Sequence, residues 1–249
     1  MSDKSLSSRR YYFNSINRNA NSLSSANFNI ALTNQIDPRY NAMIVHKVSM
    51  PYTYYTINNT NNNIYFQDGV SGILTATITE GNYTANSLAS AIGTALTASS
   101  SVPLTYTVTV SSVTNKFTIA ATGSFSLFPA TQTANAIWRT IGFNGPNQIS
   151  NTTFTAPNSY NLQPTNMVYI ESNLAPSTAY TSAGERSIIL SFPINGNFGE
   201  IITYEPYSRN PIPLNNVGSY LTFILLDDNF NVIDLNGVNW SIEVDFLAY

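Results

Sequence analysis

Short runs in which apolar and polar residues alternate, each closed by Pro, Gly, Asn or Asp, recur from residue 27 to the C-terminal residues and constrain this chain more than any other feature. A period of two suits a strand with one buried face and does not suit a helix, whose repeat is 3.6. The clearest run is Asn239 to Leu247, with Trp240, Ile242, Val244 and Phe246 inward and Ser241, Glu243 and Asp245 outward. Phe28, Ile30 and Leu32 alternate in the same way, and Tyr40 to Met50 is rich in β-branched and aromatic residues before it stops at Pro51. Tyr52 to Ile57 and Ile64 to Gln67 read as short strands around the loop Asn58 to Asn63, with Asp68-Gly69 as a hairpin turn and Gly72 to Thr79 as the next strand. Met167 to Glu171, Ser187 to Phe192, Gly199 to Tyr204 and Ser219 to Leu226 complete the set; Leu221 to Leu226 is apolar on both faces, as in a central strand covered on both sides. Eight or more strands linked by turns predict an all-β, antiparallel sandwich.

One stretch breaks this rhythm. Leu88, Ile92, Ala95 and Leu96 follow helical spacing behind Thr84, which predicts an amphipathic helix over Ala85 to Thr97. A hairpin follows, Leu104/Tyr106/Val108/Val110 against Phe117/Ile119/Ala121, and Ala134, Ile137, Trp138 and Ile141 then predict a second helix between Thr133 and Gly142. The expected layout is an extended N-terminal arm over 1–24, a β-domain over 25–249 and, within it, an α-β-β-α insertion at about 80–145. The arm holds Lys4, Arg9, Arg10 and Arg18 against Asp3 alone.

Composition limits the chemistry. Only 9% of the 249 residues are charged, against about 25% in an ordinary soluble domain, and Asn, Ser, Thr and Tyr do much of the solvating. The absence of cysteine removes disulfides, thiolate metal sites and thiol nucleophiles. A net charge of −3, from 10 Lys and Arg against 13 Asp and Glu, does not favour nucleic acid or membrane as the main partner. His46, the sole histidine, lies mid-strand and reads as a plain strand residue. Asp227, Asp228, Asn229, Asn231 and Asp234 lack the glycine and terminal glutamate of a calcium loop and read as a polar turn. Glu243 and Asp245 share a strand face without an identifiable acid–base partner. The expectation is a non-enzyme with no cofactor and no metal. No signal-peptide core follows the basic N-terminal residues, so the chain is expected to enter the cytoplasm in which it is synthesised.

The order of motifs resembles the small jelly-roll capsid proteins of double-stranded DNA viruses, including nucleocytoplasmic large DNA viruses, virophages and polinton-like viruses. The residues that carry the resemblance are Tyr12-Phe13-Asn14-Ser15-Ile16-Asn17-Arg18, the Phe28/Ile30/Leu32 strand, Val48-Ser49-Met50-Pro51 with Tyr54-Tyr55, and Ile78-Thr79-Glu80-Gly81-Asn82-Tyr83. Ile137-Trp138-Arg139-Thr140-Ile141-Gly142-Phe143, Leu226-Asp227-Asp228 and Leu235-Asn236-Gly237-Val238-Asn239-Trp240 extend it to the C-terminal strands. The resemblance implies a single jelly roll and a structural role in an icosahedral virion capsid. It implies a penton forming homopentamers at the fivefold vertices, or another minor capsid protein beneath or between the major capsomers. Its partners would be further copies of itself, the major capsid protein and other capsid subunits, with weak nucleic-acid or inner-membrane contact by the arm as a secondary expectation. Arg9, Arg10, Tyr11, Tyr12, Phe13 and Arg18 are the expected assembly contacts. A carbohydrate- or receptor-binding β-sandwich is the alternative outside this family.

Overall fold

The computed structural model describes residues 7–32, 36–70, 72–163, 165–177, 179–182, 184–208, 210–215 and 219–248. In chain order the elements are β1 (Ser7–Asn14), β2 (Asn27–Ala31), β3 (Ala42–Pro51), β4 (Asn63–Asp68), β5 (Leu74–Thr77), α1 (Ala85–Ser99), β6 (Tyr106–Val110), β7 (Phe117–Leu127) and β8 (Gln148–Thr155). They continue with β9 (Met167–Ser172), β10 (Ala179–Thr181), β11 (Gly184–Arg186), β12 (Ile188–Pro193), β13 (Ile201–Tyr204), β14 (Ile212–Pro213), β15 (Tyr220–Leu226) and β16 (Ser241–Ala248). They fall into two compact units, Met1–Tyr54 with Thr165–Tyr249, and Tyr55–Pro164.

The first unit holds two antiparallel sheets, β1-β16-β3-β13 with β14 also on β3, and β12-β9-β15-β2. Numbered one to eight along the chain, the strands β1, β2, β3, β9, β12, β13, β15 and β16 stand in the orders 1-8-3-6 and 5-4-7-2. That is the paired Greek-key order of a jelly roll, and β10 and β11 form a small separate hairpin. The inward-facing residues meet in an aromatic core. Phe28 lies 5.5 Å from Phe223 and edge-on to Trp240 at 5.6 Å, and Phe13 lies 5.1 Å from Phe223. Trp240 is buried, and its indole N–H donates to the Ser25 carbonyl at 2.9 Å, so its one polar atom is satisfied.

The expected arm over 1–24 is corrected here. Ser7–Asn14 is the first strand of the roll, paired in unbroken register with β16 from Ser7↔Ala248 to Asn14↔Ser241. Its alternation is real, with Phe13 buried, Tyr11 half-buried and Arg10 and Tyr12 exposed, but arginines at both 9 and 10 mask it in the sequence. Residues 1–6 of the expected arm lie outside the described residues. Residues 19–24 are tied to β2 by hydrogen bonds between Asn19 N–H and the Asn29 carbonyl and between Ser24 N–H and the Asn27 carbonyl.

The second unit is the sheet β5-β4-β7-β6, with β8 on the other side of β7, packed against α1. Leu88, Ile92 and Leu96 of the helix share a core with Phe66, Ile119 and Phe125 of the sheet. The helix starts as its sequence predicts. Thr84 and Ser87 form a reciprocal capping box, each side chain accepting from the other's backbone N–H at 3.2 and 3.0 Å. Gly93 allows close packing, since a Cβ there would lie 3.2 Å from the Tyr106 carbonyl. The unit reaches beyond the expected 80–145 on both sides because β4, β5 and β8 complete its sheet.

The second predicted helix is not formed. Asn135 is in the left-handed region at φ 51° and Ala136 is extended, so no helix can start before Ile137. What remains is one tight 3₁₀ turn, Ile137–Arg139, closed by Gly142 at φ 81°. The apolar spacing still buries Ile137, Trp138 and Ile141. The strand expected at Tyr52 to Ile57 is also not formed; of that segment only Ile57 makes an isolated bridge, to Gly81.

Candidate assembly surface

The alternation that buries Trp240, Ile242, Val244 and Phe246 turns Glu243 and Asp245 onto the outer face of the β1-β16-β3-β13 sheet. Register brings basic groups beside them. Arg10 stands opposite Asp245, and Lys47 stands opposite Glu243. The Arg10 guanidinium grips Asp245 at both oxygens, 2.7 and 2.9 Å, and lies 3.9 Å from Glu243. That hydrogen bond raises the Arg10 pKa still further above its ordinary value. Lys47 Nζ reaches Glu205 at 3.3 Å, just past β13. The result is a row of alternating charges running from β1 across β16 and β3 to the end of β13.

The six expected contact residues divide into two groups. Phe13 is in the core, Tyr11 stacks on Phe13 and lies 4.5 Å from Phe246, and Arg18 donates to the Ser15 carbonyl and to Asn239 Oδ1, both at 2.9 Å. Arg10 is held by its carboxylates. These four hold β1 in the roll. Arg9 sits over the Tyr11 ring at 5.4 Å and joins no ion pair among the described residues, and Tyr12 is 71% exposed. With Arg10 and Arg18 engaged internally, β1 offers little counter-charge for a phosphate backbone. Lys47 and Glu205 were not singled out in the sequence, because they act through partners far away in the chain.

The other candidates for chemistry are structural as placed. His46 is the extra residue of a β-bulge, since Glu243 pairs with Lys47 and Val244 with Val45; its Nδ1 is buried with no hydrogen-bond partner among the described residues. Asp227 accepts from the Asn229 and Asn231 N–H groups at 2.8 and 2.9 Å, and Asp228 accepts from Asn166 and Met167 at 2.7 and 3.0 Å. Those carboxylates organise backbone as a polar turn does. Among the described residues no group of three or more His, Asp or Glu could hold a metal ion. Trp138 and Trp240, the largest rings available for stacking on a sugar, are both buried.

The second unit presents a different kind of face. Thr109, Thr118 and Thr155 stand side by side across β6, β7 and β8, with Thr118 and Thr155 hydroxyls 3.0 Å apart. Thr107, Ala120 and Thr153 form the neighbouring row. The unit's buried carboxylate is Asp68. Burial pushes its pKa up, but hydrogen bonds from the Ser100 and Ser101 hydroxyls, the Ser101 N–H and the Tyr106 phenol outweigh this and carry it below the ordinary value. The Tyr106 phenol is pushed up in turn by its burial and by Asp68.

No family model matches the sequence, and no curated protein matches it. Among solved structures it is similar to the crystal structure of the SeMet-labelled mavirus penton protein, with a TM-score of 0.54 at 11% sequence identity. The match covers 96% of this chain and 99% of that one, so it takes in both the roll and the unit between β3 and β9. At this identity the likeness is one of fold.

Proposed function

We infer that the chain is a structural subunit of an icosahedral virion capsid, and specifically the penton that forms homopentamers at the fivefold vertices. The observation that carries this reading is the end-to-end likeness of fold to a mavirus penton protein, reached from a strand order that is that of a jelly roll. Composition supports it. Subunit interfaces are depleted of Lys, Glu and Asp and enriched in aromatics, and this chain has 9% charged residues and 16 tyrosines. A shell protein needs no catalytic group, and the partners of this reading are further copies of the chain, the major capsid protein and other capsid subunits.

Mass photometry of the purified chain at virion-like salt tests the assignment. Five copies are expected. A stable monomer overturns the penton reading, and a dimer or trimer replaces it with a minor capsid protein lying beneath or between capsomers.

A further inference from the structure

A sheet edge presents a row of unpaired N–H and C=O groups, and proteins normally close it. The roll treats its four edges unequally. On β2 the free side is closed by the residues just before it: Asn19 and Ser24 N–H groups donate to the Asn29 and Asn27 carbonyls, and the Ser22 and Ser24 hydroxyls accept from the Asn29 and Asn27 N–H groups at 3.0 Å. On β12 the edge is broken by a bulge at Ile189 and ends in Pro193, which has no N–H to offer.

The other sheet is left open at both ends. β1 runs eight residues without a bulge. Because Ser15 N–H donates to the Trp240 carbonyl, the alternate residues Ser8, Arg10 and Tyr12 turn their backbone groups away from β16. At the far edge, Tyr52 N–H donates to the Glu200 carbonyl, which leaves Ile201 and Thr203 with backbone groups turned away from β3. Among the described residues no strand meets either edge.

The two open edges are also opposite in character. β1 carries Arg9, which joins no ion pair among the described residues, beside Arg10 on its carboxylates, whereas Glu200, which accepts from the Asn197 N–H, and Glu205, beside Lys47, bracket β13. Exposed apolar groups flank both, Tyr12 and Ile16 on one side, Phe198 and Ile201 on the other. Joining like edges would set arginine against arginine or glutamate against glutamate. Joining unlike edges sets basic against acidic and apolar against apolar.

We propose that β1 of one copy pairs with β13 of the next, extending the sheet from subunit to subunit. This rests on the homo-oligomer reading above and supplies its contact surface. Such a head-to-tail contact is heterologous, the type that closes rings when its rotation allows. Within one copy β1 is antiparallel to β16, β16 to β3 and β3 to β13, so β1 and β13 are antiparallel. A rotation axis along the strands preserves that direction, and the new pair is antiparallel like every other pair in the sheet. Setting Arg10 opposite Glu205 places Tyr12 opposite Thr203; a slip of two residues places Tyr12 opposite Ile201.

The chain contains no cysteine, so engineered thiols report the contact cleanly. Tyr12→Cys is combined with Thr203→Cys or with Ile201→Cys, each single variant serves as a control, and circular dichroism checks folding. After treatment with a short bismaleimide, one double variant is expected to give a covalent ladder ending at the ring's copy number, while the singles stay uncrosslinked. Dimers from Tyr12→Cys alone would mean two-fold pairing of β1 with itself and would overturn the proposal. No ladder in either double variant, with an oligomer still seen by mass photometry, overturns the edge pairing and leaves the capsid reading standing. A monomer overturns both.

Discussion

The two units of this chain solve the same problem, a β-sheet face in water, by different chemistry. Of the 10 Lys and Arg and 13 Asp and Glu, only Asp68, Glu80, Lys116 and Arg139 fall between Tyr55 and Pro164. They cancel, so the whole net charge of −3 belongs to the roll. The roll's outer face is solvated by ion pairs, Arg10 with Asp245 and Lys47 with Glu205, whereas the second unit uses rows of threonine. Low overall charge is therefore a regional property. One unit is nearly charge-free by design of its surface, and its buried carboxylate, Asp68, acts within the fold.

The first way to test this contrast is to show that it stops at the surface. Both cores are dense aromatic clusters, so Trp240→Ala in the roll and Phe66→Ala in the second unit are each expected to cost about 3–5 kcal/mol. Chemical denaturation followed by circular dichroism measures both, and a loss well under that range in only one of them would mean the cores differ too.

A smaller effect is expected at Asp68. Asp68→Asn removes a charged acceptor of several hydrogen bonds and is expected to destabilise the second unit by about 1–3 kcal/mol. The native pKa of this carboxyl is lowered from its ordinary 3.8, so the unfolded chain takes up the proton first. Its contribution is complete above that value and is lost as pH falls below 3.8 through the lower native value. The gap between wild type and Asp68→Asn should therefore narrow in acid; a gap that is constant down to pH 2 contradicts the assignment.

The smallest effect is expected on the roll's face. Arg10→Ala breaks an exposed pair and should shift the melting temperature slightly at low salt and not at all at high salt. A large, salt-independent loss would show that Arg10 holds β1 by packing rather than by charge.

Most strands of the roll were legible in the sequence because burial on one face imposes alternation. β3, β9, β12, β15 and β16 lie within a few residues of their expected places, and α1 and the β6–β7 hairpin stand where helical spacing and the turn at Thr114-Asn115 put them. The elements that escaped are those whose environment does not write a pattern. β8 is exposed at nearly every position except Phe154, so it has no apolar face to announce it. β1 is an edge strand whose outward residues include two arginines in succession with its inward ones. At 137–141 the apolar spacing predicted burial correctly and conformation wrongly, because the left-handed Asn135 decides where a helix can begin. The residues expected as assembly contacts could be singled out in the sequence only as a segment: which of those in β1 face the core and which face away follows from the pairing with β16, more than 200 positions later in the chain.

That pairing sets the order in which the molecule can be made. β1 is made before the other described strands and its one partner strand among the described residues, β16, after them, with the whole second unit synthesised in between. At about 5–20 residues per second the gap is about 10–50 s, far longer than hairpin closure. The second unit can fold while the chain is still growing, but the sheet that contains β1 cannot close until β16 has been made.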